Sequence, residues 1–104
     1  METPIAATNV KNIIENNSSV LLDFYADWCG PCQTLLPTIN KLADELKEDV
    51  LIKKVNVDDY QELATEFGIR NIPTLVFFKD GKVVEKHTGL ITERNLRDKI
   101  DRLK

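Results

Sequence analysis

The chain has little of what metal, nucleic-acid and membrane proteins usually depend on. Its 104 residues include two cysteines, one histidine, one tryptophan and one methionine. Zinc usually takes four ligands, so Cys29 and Cys32 could hold it only with ligands borrowed from another chain. Two cysteines also make no framework of staples. A chain this long buries roughly two-thirds of its unfolded surface, enough for one core without metal or disulfide support, and residues 1–104 read as a single domain. Basic charge is not in excess: 14 Lys and Arg stand against 17 Asp and Glu, both signs are interspersed, and the net charge is -3. That excludes a basic stripe for nucleic acid. No apolar run approaches membrane-spanning length, and the N-terminus lacks a basic segment followed by a long apolar one. A reducing, cytoplasmic compartment is therefore expected.

What is present is concentrated in Asp23-Phe24-Tyr25-Ala26-Asp27-Trp28-Cys29-Gly30-Pro31-Cys32. A Cys-x-x-Cys in a chain with no other cysteine reads as a redox pair. Residues 20–25 are a short apolar, β-branched and aromatic run of strand character. After them Leu35, Leu36, Ile39, Leu42, Ala43 and Leu46 recur at helical spacing. A strand thus runs into a helix, with Pro31 expected at the first helical position and Gly30 just outside it. Cys29 then precedes the helix and Cys32 lies in its first turn. The unsatisfied N–H groups and positive dipole end of a helix start favour a thiolate, the nucleophile of disulfide exchange. Cys29 is expected at the outer edge as nucleophile, and Cys32, a turn inward, as the resolving thiol.

Thiolate stabilisation alone achieves little. Lowering a thiol pKa from about 8.5 to about 7 raises the thiolate fraction at pH 7 from roughly 3 % to 50 %, while a Brønsted slope of about 0.5 removes about fivefold in nucleophilicity. The net gain is roughly threefold. Most of the rate advantage must come from docking the substrate and from holding Cys32 within reach.

The rest of the chain supplies a fold. Residues 4–7 read as a short edge strand, and a helix from Asn9, capped by Thr8 or Asn9, carries Val10, Ile13 and Ile14 on one face. Pro37 should kink the helix that follows the cysteines, which ends near Lys47. Residues 50–57 form the next strand, completing a βαβ unit with parallel pairing. Asp59 and Glu62 are spaced as a capping box for a short helix ended by Gly68. Asp80-Gly81 between apolar runs is a two-residue hairpin signal, its second strand reaching about Thr88, and a last helix from about Glu93 presents Leu96, Ile100 and Leu103. The pattern implies an α/β domain with a central mixed sheet and helices on both faces. His87 reads as an exposed strand residue, because nothing in its spacing brings it to Cys29. Asp23 interrupts its strand and allows two readings. It either faces water by strand alternation or is a buried carboxyl behind the cysteines with a raised pKa.

Trp28-Cys29-Gly30-Pro31-Cys32 resembles the active-site motif of the thioredoxin family. Asp23, Pro37, Lys54, the Ile72-Pro73-Thr74 triplet, Gly81 and Gly89 also fall where thioredoxins carry the corresponding residues, so the resemblance covers essentially the whole chain. It implies a five-stranded mixed sheet flanked by four helices, and it favours the buried reading of Asp23, as proton acceptor for Cys32 with Lys54 tuning its charge. It implies a cis Ile72-Pro73 bond facing the disulfide, and an apolar contact surface of Trp28, Gly30, Pro31, Ile72, Pro73, Thr88 and Gly89. Three positions depart from the common pattern: Gln33 where lysine or arginine is frequent, Tyr25 where tryptophan is, and Asn71 where glycine is.

The implied activity is thiol-disulfide exchange, with the chain as an electron carrier reducing protein disulfides through a reversible Cys29-Cys32 disulfide and no bound cofactor or metal. Implied partners are disulfide-containing proteins and a reductase of the flavin-containing, NADPH-linked type, with no nucleic acid or membrane, and the chain is expected to be a monomer. An isomerase or oxidant of the same fold and a non-catalytic binding subunit are the alternatives. Relatives that oxidise often carry histidine between the cysteines, whereas Gly30-Pro31 has no charge and favours a reductant.

Overall fold

The computed structural model describes residues 7–104. Its helices are α1 (Ala7–Asn16), α2 (Gly30–Glu45), α3 (Gln61–Glu66) and α4 (Glu93–Asp101), and its strands β1 (Ser19–Tyr25), β2 (Leu51–Asn56), β3 (Thr74–Lys79) and β4 (Lys82–Thr88). The sheet order is β2-β1-β3-β4. β1 pairs parallel with β2 across the α2 crossover and antiparallel with β3, which pairs antiparallel with β4. The mixed sheet and four helices match expectation. The expected edge strand at 4–7 lies outside the described residues except for Ala7, which opens α1, so four strands rather than five are seen among those described.

Strand alternation sorts the core into two layers. Leu21, Ile52, Leu75 and Phe77 face Leu35, Ile39 and Leu42 of α2 and Leu96 and Ile100 of α4. Val20, Leu22, Phe24, Val55, Val76 and Phe78 face Val10 and Ile14 of α1 and Leu63 of α3. β1 is buried on both faces and carries apolar residues at nearly every position, as a central strand must. The Ser19 hydroxyl donates to the Leu103 carbonyl at 2.9 Å, fixing the end of the chain against the start of β1.

Several boundaries differ from the sequence reading for local reasons. Ala7 and Thr8, ahead of Asn9, already belong to α1. α2 starts at Gly30, with Pro31 second, because Cys29 itself is the N-cap. α2 also runs through Pro37 without a break and ends at Glu45. The Asp59–Glu62 capping box does not form: Tyr60 is the N-cap and makes no side-chain cap bond. Asn56 takes over that turn, its side-chain oxygen accepting the Asp58 N–H at 2.9 Å and its carbonyl the Asp59 and Tyr60 N–H groups.

At the end of α3 the Ile69 N–H reaches the Ala64 carbonyl and the Gly68 N–H the Thr65 carbonyl, a Schellman pair around Gly68 at φ +68°. A Cβ there meets no closer contact than 3.7 Å, so the cost of a side chain is purely conformational. Gly68→Ala should therefore lose about 1 kcal/mol. Gly30→Ala, in a helical position with open space around it, should be neutral or gain about 0.5 kcal/mol. Urea unfolding of the two variants side by side checks both signs.

Candidate active site

The local geometry at the cysteines follows from the junction of β1 and α2. Cys29 keeps extended dihedrals (φ -91°, ψ 111°) and caps the helix with its sulfur, which accepts the Cys32 N–H at 3.2 Å. Serine or aspartate normally fills this role with oxygen; here the acceptor is a sulfur of the cysteine pair. The two cysteines form a disulfide with Cα atoms 5.3 Å apart. Both cysteines are nearly buried, Cys29 at 5 % exposure and Cys32 at 3 %. They differ in surroundings: Cys29 Sγ caps the helix and lies 3.8 Å from the Ile72 carbonyl oxygen, whereas Cys32 lies within the first turn.

Asp23 takes the buried alternative, at 1 % exposure. Alternation along β1 puts it on the same face as Leu21, the face covered by α2 and α4. One carboxylate oxygen, Oδ1, has no hydrogen-bond partner. Burial of the charge raises the Asp23 pKa to about 7, and the Lys54 ammonium opposes that shift. Lys54 is its partner in the β1–β2 register and shares its face of the sheet.

Residues distant in sequence complete the surroundings. The Ile72-Pro73 bond is cis, as the resemblance implied. The Pro73 carbonyl accepts the Gly89 N–H at 2.8 Å, and the Thr74 and Thr88 hydroxyls are 3.2 Å apart, so Gly89 and Thr88 are tied to the loop beside Cys29. Pro73 is itself buried and not part of an exposed surface, unlike Trp28, Gly30, Pro31 and Thr88. Trp28, 71 % exposed, is held by an Nε1–H bond to Asp58 at 2.8 Å, an anchor that sequence reasoning missed. The three unusual positions differ in their surroundings. Gln33 donates to the Asp27 carbonyl, and the Asn71 carbonyl accepts from the Thr74 hydroxyl. Tyr25 is half-buried, and its phenol pKa is raised by burial and then by the Asp27 charge. His87 bonds the Leu90 carbonyl and takes no part. No cluster of three or more His, Cys, Asp or Glu suited to a metal occurs among the described residues. No described helix is long and apolar enough to cross a membrane.

Comparison with known proteins decides the family. The family model described as Thioredoxin matches residues 3–102. The chain belongs to the thioredoxin family. It is 43 % identical over 89 residues to the thioredoxin of Chlorobaculum thiosulfatiphilum, covering 86 % of this chain and 82 % of that one. With the thioredoxin of Rickettsia prowazekii it shares 36 % over 103 residues, 98 % of each chain. Among solved structures, a mutant thioredoxin from Halobacterium salinarum superposes with a TM-score of 0.89 at 43 % identity, covering 96 % of this chain and 87 % of that one. Fasciola hepatica thioredoxin gives 0.88 at 39 %, with both chains fully covered. A third, from work on the thiol-resolving mechanism of yeast mitochondrial 1-Cys peroxiredoxin via glutathione and thioredoxin systems, gives 0.85 at 33 %, covering 94 % of this chain and 91 % of that one. Thioredoxins are thiol-disulfide oxidoreductases that work through a redox-active cysteine pair, not a bound cofactor, and they interact with disulfide substrates and reductases. The chain shares that activity.

The burial of Asp23 has a pH signature. An unfolded aspartate loses its proton near 3.8, whereas the folded one keeps it to about 7. Between those values the native state binds more protons than the unfolded one, so stability falls as pH rises from about 4 to 7, by about 4 kcal/mol. Asp23→Asn, neutral throughout, should remove most of this slope and be the more stable protein at pH 8. Unfolding curves of the oxidised protein at pH 5, 6, 7 and 8 measure it, and parallel profiles for the two proteins would refute the assignment.

Proposed function

We propose that this thioredoxin reduces protein disulfides as a single-domain electron carrier. The observation that carries the reading is the sulfur of Cys29 accepting a helix-terminal N–H, a contact that strengthens when the sulfur becomes a thiolate. In the forward direction the Cys29 thiolate attacks one sulfur of a substrate disulfide. The substrate S–S bond breaks, and the departing thiolate takes a proton from water. Cys32 then gives its proton to the Asp23 carboxylate, directly or through water, and attacks Cys29 Sγ. The second substrate thiol leaves, two electrons have passed to the substrate, and the protein is left with the Cys29-Cys32 disulfide.

Each remaining site residue has a part in this reading. Lys54 opposes the desolvation of Asp23 and keeps part of it ionised near neutrality. Gly30 and Pro31 leave the nucleophile uncrowded and add no charge, consistent with a reductant. Trp28, Ile72, Thr88 and Gly89 form the contact surface around the sulfur, and Pro73 supports it from beneath by holding Gly89. The Ile72 carbonyl, beside Cys29 Sγ, is the backbone group that an extended substrate segment would pair with. Regeneration falls to a separate reductase, of the flavin-containing, NADPH-linked type, and the working compartment is the cytoplasm. The likeness to the yeast structure from the peroxiredoxin thiol-resolving system supports peroxiredoxins as one class of substrate.

Equilibration in graded dithiol buffers, followed through the sole tryptophan beside Cys29, measures the direction of this chemistry. A potential near about -270 mV, the established thioredoxin value, supports a reductant, and one at about -180 to -120 mV would instead mark an isomerase or oxidant. Asp23→Asn should slow turnover of a protein disulfide at pH 7.5 by about tenfold or more and flatten its rise between pH 6 and 8. An unchanged pH–rate profile would remove Asp23 from the proton path.

A further inference from the structure

A groove of about 390 Å³ runs between α2, the helix that begins at the redox pair, and the segment that joins β4 to α4. Thr34, Leu35 and Thr38 form one wall and Leu90, Ile91 and Glu93 the other. Both walls grow directly out of the site. Gly30, Thr34 and Thr38 are spaced four apart along α2 and so share one helix face. Leu90 follows Gly89, whose N–H is fixed to the Pro73 carbonyl one residue from the Ile72–Cys29 contact. Leu90 is 55 % exposed, an apolar side chain left at the rim of a cleft floored by buried Leu35. At the far end the Lys41 ammonium meets the Glu93 carboxylate at 3.2 Å and closes the groove with a polar barrier.

We infer that this groove is a second substrate subsite, which takes one bulky apolar side chain of the polypeptide whose disulfide is being reduced. The inference rests on the reductase reading above. Its position sets the register. Thr34 and Thr38 lie four and eight residues beyond Gly30, about 6 and 12 Å along the helix axis, and an extended chain advances about 3.3 Å per residue. The accommodated side chain is therefore two to four residues from the attacked cysteine. The open shape suits a side chain delivered by a body already docked at the sulfur, because tethering turns a weak contact into an intramolecular one. A free small molecule would have to bind there unaided. Leucine, methionine or phenylalanine fits beside Leu35, Leu90 and Ile91, where a charged residue would lose water, and Glu93 is already engaged by Lys41.

The test uses two cyclic disulfide peptides that differ only in leucine or serine at the third residue outside the ring, together with a small disulfide, oxidised lipoamide, that cannot reach the groove. The wild-type protein should reduce the leucine peptide with a kcat/KM about tenfold above the serine peptide. Leu90→Ser and Thr38→Lys should each bring that ratio close to one while leaving lipoamide reduction unchanged. Equal rates for the two peptides in the wild type, or a ratio untouched by both substitutions, would overturn the subsite while the reductase reading stands. Failure to reduce lipoamide as well would sink that reading and the subsite with it. If Leu90→Ser left the ratio intact and abolished a dimer detected by sedimentation, the groove would belong to a second copy of the chain, and the subsite would again be refuted.

Discussion

The interaction on which the rest of the site depends is the bond from the Cys32 N–H to Cys29 Sγ. It makes the reactive sulfur an integral part of a helix start, so whatever fixes α2 also fixes the sulfur. α2 is held by Leu35, Ile39 and Leu42 packed on the sheet and by ion pairs to α4, Glu45 with Arg97 and Lys41 with Glu93. The ion pairs are largely solvent-exposed, so screening leaves each of them a minor contribution. The packed leucine and isoleucine side chains are the stronger constraint, worth about 2 kcal/mol or more apiece. A thiolate held by such a rigid element needs little reorganisation when charge develops on it.

Asp23 sits on the same layered scaffold at a thermodynamic cost. A carboxyl in the middle of β1, with one oxygen unpartnered, weakens the native state at neutral pH by an amount comparable with a large cavity. A small domain tolerates this only because both faces of β1 are otherwise filled by Leu21, Leu22, Val20 and Phe24, all fully buried. Lys54, one strand away, reduces the penalty without cancelling it. In the proposed cycle that residual destabilisation is what keeps a base of suitable strength near neutral pH, a trade of stability for reactivity.

The two sides of the disulfide are built differently. On one, exposed Trp28 is tethered to Asp58, with Asn56 organising the turn that carries it. On the other, the Pro73–Gly89 bond links the end of β4 to the loop beside Cys29 and brings Leu90 opposite α2. In the proposed reading, this difference would give a polypeptide substrate an orientation as well as a point of attack. β4 itself lies at the sheet edge with Val83 and Val84 exposed, but a bulge at Val84 and the flanking Lys82 and Lys86 discourage further strand addition there.

The sequence by itself determined the elements whose causes are local. Asp80-Gly81 specified a tight hairpin, and both residues do take positive φ. The change from strand to helical period at the cysteines put them at a helix start, and the spacing of Leu96, Ile100 and Leu103 named the buried face of α4. Where two local signals competed, as between the Asp59–Glu62 capping box and the Asn56 side chain, the sequence could not rank them. Only the tertiary structure decided whether Asp23 faced water or the core, because that depends on which layer covers its side of β1. It alone joined Trp28 to Asp58, Gly89 to Pro73 and Leu90 to the wall of α2. Propensity, periodicity and capping act over a few residues. Contacts between residues 16 to 56 positions apart exist only once register and packing have set the layers.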